Sequence, residues 1–170
     1  SASLVGSEMC IRDRRATMKI LVSACLLGEN CKYSGGNNYN QAVCDFARGH
    51  QVVPVCPEVL GGLPTPRCPA EIVQGVVTNK EGINVDREFR AGAAKALAIA
   101  KENGVELAIL QSRSPSCGVK EIYDGTFSGT KIPGQGVFAK MLMDEGVRVL
   151  DAGELPKIIL KNEDGKCQSD

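Results

Sequence analysis

ELAILQSRSPSCG, residues 106–118, sets a short apolar run directly against a turn of serine, proline and glycine that carries a cysteine. The run at 107–111 has the length and apolar continuity of a buried strand. A structural cysteine normally lies among apolar neighbours, whereas Cys117 is presented on a turn just past a strand end, where loops carry chemistry.

Two more cysteines share that address. MKILVSA, 18–24, reads as a first strand and is followed by Cys25; QVVPV, 51–55, reads as a second and is followed by Cys56. Pro54 places the second strand at an edge or close to its end. Between and beyond them the pattern turns helical over 38–49, 86–103, 136–145 and 154–162, with a further strand over 147–151. In 86–103 the residues Phe89, Ala93, Leu97 and Ala100 recur at helical spacing, Asp86 is a candidate cap and Gly104 the stop. Residues 57–72 read as a long Pro- and Gly-rich loop and 121–133 as a loop or hairpin. Strands alternating with helices predict a single α/β domain, Rossmann-like and three-layered, with a mainly parallel central sheet flanked by helices.

The totals bound the function. At 170 residues the chain suits one domain with one sizeable core. Lys+Arg and Asp+Glu balance at 20 each, so no global basic field exists to grip nucleic acid; tRNA as a partner is left open but unsupported. No apolar run is long enough to span a bilayer, so no membrane partner is expected. The segment 1–17, SASLVGSEMCIRDRRAT, resembles translated adapter or fusion sequence and is read as a non-native or disordered extension before Met18. With Cys10 set aside, seven of the eight cysteines remain. An odd number without secretory-signal character or scaffold-like density points to the reducing cytoplasm and to free or metal-bound thiols.

Parallel strands put Cys25, Cys56 and Cys117 at the same edge of the sheet, beyond the carboxyl ends where such folds bind ligands. Three converging thiols are typical ligands of a soft metal or an iron–sulfur cluster. Three also leave one ligand position open, where a Lewis-acidic iron can take a substrate atom. No CxxC pair occurs, which weakens a zinc-ribbon reading. On spacing alone, a shared metal site and scattered structural cysteines stay equally open.

ACLLGENCKYSGG at 24–36, VCPEVLGGLPTPR at 55–67, SRSPSCG at 112–118 and IYDGTFSGTKIPGQGVFA at 122–139 together resemble a small family of thiouracil desulfidases, formerly a domain of unknown function. The resemblance spans about 18–150, predicts a desulfidase-like domain over 18–161, and leaves 162–170 as a flexible tail. It implies a 4Fe-4S cluster held by Cys25, Cys56 and Cys117, and a hydrolytic, non-redox removal of sulfur from a small thiolated pyrimidine. Sulfide and the oxo base would be the products, with thiouracil, thiouridine, a nucleotide or a modified RNA all open as substrate. Catalytic roles are implied for Glu58, as base toward a water attacking the C=S carbon, and for Ser114, as a positioning or proton-relaying hydroxyl. Both residues also have ordinary uses in turns and loops.

Other residues carry weaker readings. Cys31 is an alternative ligand or a structural thiol, Cys68 is not expected to be a ligand, Cys44 is expected to be buried on a helix, and Cys167 lies in the tail. His50 reads as a cap or surface residue. Arg67 and Arg113 flank the site as substrate contacts or ordinary ion pairs, Tyr33 and Tyr123 are stacking or core residues, and Asn37 and Asp124 have no assigned role. GQGVFA at 134–139 matches GxGxxA with Asp151 downstream, a dinucleotide fingerprint, but FSGTKIP in front of it is no buried strand. The rival from another class is a non-catalytic module in which the cysteines hold zinc or a fully ligated cluster. A thiol redox protein is a third reading.

Overall fold

The computed structural model describes residues 17–155. The expected extension over 1–17, Thr17 apart, the tail over 162–170 and most of the helix expected over 154–162 therefore lie outside the described residues. In chain order the strands are β1 (Lys19–Ser23), β2 (Gln51–Val55), β3 (Ala70–Val73), β4 (Val76–Asn79), β5 (Leu107–Leu110), β6 (Glu121–Tyr123), β7 (Lys131–Pro133) and β8 (Arg148–Asp151). The α-helices are α1 (Gln41–Ala47), α2 (Pro57–Leu60), α3 (Asp86–Glu102) and α4 (Val137–Asp144).

A four-stranded sheet in the order β2-β1-β5-β8 forms the centre, and every pairing in it is parallel. Such a sheet must be covered on both faces, and its strands read as continuous apolar runs for that reason. Leu21, Ala108 and Leu110 face α3 and α4, against Phe89, Ala93, Phe138 and Leu142. Ile20, Val22, Leu107 and Ile109 face the other way, against Val43 and Ala47 of α1. The alternation along β1 and β5 is the period-two pleat at work, and it produces the expected three layers. Phe89 is fully buried, which contributes about 2 kcal/mol to folding. Pro54 lies on the edge strand β2, where the lost N–H costs no inner ladder bond.

Two hairpins stand outside this sheet. β3 pairs with β4 and β6 with β7, both antiparallel. The stretch 57–72 is thus not one loop: it contains α2 and most of β3. Local propensity does not make a four-residue helix; close packing on α3 does. A Cβ on Gly92 would fall 1.7 Å from the Pro57 carbonyl oxygen, and one on Gly61 would fall 2.0 Å from that of Glu88. Two bare backbones in contact fix the turn that carries Cys56 and Glu58.

Asp86 also differs from expectation. Val85 occupies the cap position of α3, while the Asp86 carboxylate accepts the N–H of Val77 at 3.0 Å and pairs with Arg90 at 2.7 Å. The side chain anchors the β3–β4 hairpin to the helix instead of closing the helix end.

Candidate active site

β1 and β5 are neighbours, but the chain leaves them in opposite directions, β1 toward β2 and β5 toward β8. The crevice beyond their carboxyl ends is the switch point of the sheet, where open α/β folds bind ligands. Ser23 marks it: its buried hydroxyl accepts the Gln111 N–H at 3.1 Å just where the two strands part. A cavity of about 480 Å³ opens there, and Cys25, Cys31, Cys56, Glu58, Ser114 and Cys117 all line it. Each expected ligand and catalytic residue is therefore at one place.

Three local structures aim the thiols. Cys25 sits in the 3-10 turn Ala24–Leu27 that follows β1. Cys56 precedes α2 in extended conformation at its cap position. Cys117 is held by the loop over 112–118. Its N–H and that of Ser116 both donate to Ser114 Oγ, at 3.1 and 3.2 Å. The carbonyls of Pro115 and Ser116 accept the Val137, Phe138 and Ala139 N–H groups, so the loop caps the start of α4. Gly136 permits this, because a Cβ there would lie 2.5 Å from the Ser116 carbonyl carbon.

The same contacts dispose of the dinucleotide fingerprint. Gly136 receives the Ser116 backbone at the helix start, Gly134 packs on the Ile122 side chain, and β7, upstream, belongs to a two-stranded hairpin outside the central sheet. Asp151 accepts the Ser112 hydroxyl and the Gly153 N–H.

The electrostatics distinguish the thiols. Hydrogen bonding from Cys31 holds Cys25 below the ordinary thiol range. The same donor, aided by the Val59 backbone N–H, brings Cys56 down to about 7. Cys31, which keeps its proton between the two, is pushed up. Burial pushes Cys117 up to about 12, against the hydroxyls of Ser23 and Ser116. Two thiols thus lean toward the thiolate, the form in which cysteine ligates metals, while burial favours the protonated form of the third. Among the described residues no group of His, Cys, Asp and Glu side chains converges tightly enough to hold a single metal ion.

Glu58 is gripped from both sides. Arg67 Nε donates to Oε1 at 3.1 Å, and the buried Ser116 hydroxyl donates to Oε2 at 3.0 Å. Ser116 Oγ also lies 2.9 Å from Ser114 Oγ and 3.6 Å from Cys117 Sγ. With its own proton directed to Glu58, Ser116 accepts from Ser114, and a hydroxyl chain joins the loop to the carboxylate. Neither the Arg67 grip nor Ser116 was assigned from sequence. The serine lay inside a quoted motif, but only the fold shows which hydroxyl meets Glu58.

The remaining candidates are placed as follows. Arg113 pairs with Glu121 at the rim at 3.1 Å. Tyr33 and Tyr123 line the cavity, while Cys68 is not among its lining residues. Cys44 lies on α1, only half-buried, with its Sγ donating to the Leu26 carbonyl. His50 accepts the Met18 N–H through Nδ1 at 2.9 Å and tilts against Phe46, a structural use. Asn37 accepts the Tyr39 N–H and Asp124 the Thr126 N–H, both within turns. The six cysteines among the described residues are free.

A parallel α/β domain with a thiol-lined crevice at its switch point defines the class. The family model of 2-thiouracil desulfurase matches residues 20–154, and the chain belongs to that family. It is 42% identical over 150 residues to the uncharacterized protein YbbK of Bacillus subtilis (strain 168), covering 82% of this chain and 99% of that one. Among solved structures it is similar to the [4Fe-4S]-dependent thiouracil desulfidase TudS. That match has a TM-score of 0.77 and 38% identity, over 86% of this chain and 98% of that chain.

Proposed function

We propose that the protein removes sulfur from a small thiolated pyrimidine, with a 4Fe-4S cluster held by Cys25, Cys56 and Cys117. The observation that carries this reading is the meeting of those three thiols with Glu58 and Ser114 around one cavity. The donor set fits such a cluster: sulfur ligands, two of them biased toward thiolate. The family membership and the likeness to TudS support the same cofactor and substrate class.

When bound with three protein ligands, the cluster supplies an iron open to a thiocarbonyl sulfur as a Lewis acid. The protein's own residues would do the rest. Glu58, fixed by Arg67 and Ser116, takes a proton from water. The hydroxide adds to the C=S carbon, the C–S bond breaks, and sulfur departs as hydrosulfide. Water and thioamide become amide and hydrogen sulfide, with no change in oxidation level. Ser114 returns or positions a proton through Ser116.

A small substrate fits a cavity of about 480 Å³, and a formal net charge of +0 offers no general attraction to tRNA. Among the described residues no helix is long and apolar enough to cross a membrane. Work in the reducing cytoplasm accords with the free thiols.

One observation favours a second reading. Cys31 lines the same cavity as Cys25 and Cys56, and its carbonyl accepts from Cys56 Sγ at 3.9 Å, so a fourth thiol could close the cluster into a non-catalytic module. Anaerobic reconstitution followed by assay of 2-thiouracil and 4-thiouridine separates the two. Catalysis predicts sulfide release by the wild type. Glu58→Ala should keep its iron but lose turnover, and Cys117→Ala should lose its iron. An iron-loaded wild type that releases no sulfide, with iron lost on Cys31→Ser, establishes the closed module instead.

A further inference from the structure

The turn between β6 and β7 holds a bulky residue where bulky residues rarely settle. Phe127 has φ of 55°, a conformation that is an outlier for a large side chain and persists only where its surroundings over-determine it. Here they do. Glu71 Oε1 accepts the N–H of Gly125 at 3.0 Å and that of Phe127 at 3.1 Å. Gly125 lies so near β3 that a Cβ on it would stand 2.6 Å from the Ile72 carbonyl oxygen. On the other side, Asp124 Oδ1 accepts the Thr126 N–H and hydroxyl, at 2.9 and 2.6 Å.

This effort does not serve the core. Phe127 belongs to neither apolar cluster, yet it lines the cavity that holds the thiols and Glu58. The other aromatic residues there need no such device: Tyr123 ends a regular strand, and Tyr33 is 44% exposed with Lys32 over its ring. An aromatic group held at a cavity wall against its backbone preference suits a flat, heteroaromatic ligand, because stacking accepts any base by its π-face.

We propose that Phe127 is the platform on which the thiolated ring stacks, and that Glu71 is the positioning residue that holds it there; this rests on the thiopyrimidine reading above. Removing the ring weakens binding by about tenfold, and the loss falls on KM more than on kcat, because stacking is the same before and during reaction.

The test uses the anaerobically reconstituted protein with 2-thiouracil as substrate and uracil as a calorimetric binding probe. Phe127→Leu raises KM and weakens uracil binding about tenfold, with kcat changed far less, and Phe127→Tyr restores both. Glu71→Ala repeats the Phe127→Leu pattern, whereas Glu71→Gln stays near wild type, since its carbonyl still accepts both N–H groups. Unchanged KM and uracil binding in Phe127→Leu overturns the platform, whether or not Glu71→Ala folds. Glu71→Gln as poor as Glu71→Ala overturns the positioning role. If the wild type lacks turnover but binds uracil more tightly than Phe127→Leu does, the platform stands and the desulfidase reading falls.

Discussion

Arg67 Nε stands 3.1 Å from Glu58 Oε1, with the two side chains only 7% and 16% exposed. The same guanidinium donates to the carbonyls of Cys31 and Pro64 and to the Thr65 hydroxyl. One fork therefore ties the carboxylate of α2 to the Cys31 loop, which a lysine could not do. Arg67→Met strands a half-buried carboxylate and lowers the unfolding free energy by about 2–4 kcal/mol in urea titrations. With Glu58 as the proposed base, turnover at matched iron content falls about 100-fold, because a small misplacement of that group is costly. Arg67→Lys recovers part of the stability and little of the rate.

Ser116 is 1% exposed and lies between Glu58 and Ser114. Ser116→Ala removes the hydroxyl link without touching the backbone bonds that seat Cys117. Turnover drops about 100-fold, the lower end of the range for a lost proton-transfer partner. Iron content, measured beside the rate, stays at the wild-type value.

Gly92 touches the site only through packing. Gly92→Ala places a methyl against the Pro57 carbonyl and costs about 1–3 kcal/mol, the usual cost of overpacking. Because α2 must move away, the variant both melts earlier and holds iron less firmly. Ala96→Gly, farther along the same helix face, destabilises α3 by about 1 kcal/mol and leaves iron retention alone.

Asp86 gives the fold a pH dependence. Burial raises its carboxyl, but the Val77 N–H and Arg90 more than offset this, so it titrates below the ordinary carboxylate range. A group lowered on folding contributes stability above its unfolded value of about 3.9, and that contribution is lost as pH falls through the folded value. Asp86→Asn is therefore less stable than wild type at neutral pH. Urea midpoints of the two proteins approach each other as pH falls below about 4.

Much of this architecture is legible in the sequence because each strand of the central sheet carries a short apolar run. β1, β2 and β5 each end in a cysteine or a short turn leading to one, so parallel strands alone bring the three thiols to one edge. The β3–β4 hairpin escaped notice because its turn is Gln74-Gly75, both at positive φ, in place of the Asn-Gly or Asp-Gly that announces such turns. α2 escaped because its cause lies on α3, in Gly92, far along the chain. The motifs around Glu58 and Ser114 bring both to the cavity that the three thiols line. Arg67 as the holder of Glu58, and Ser116 as the link between the two, depend on which side chains meet in space. Phe127 was hidden for another reason: an aromatic residue in a Gly-rich turn reads as ordinary until its φ and its Glu71 tether are seen.

The most direct measurement is the fate of oxygen and sulfur when the anaerobically reconstituted protein meets 2-thiouracil in oxygen-18 water. Hydrolytic desulfuration with Glu58 as base predicts sulfide and oxygen-18-labelled uracil in equal amounts from the wild type, and neither from Glu58→Ala carrying the same iron. Unlabelled uracil, or undiminished sulfide release by Glu58→Ala, contradicts it.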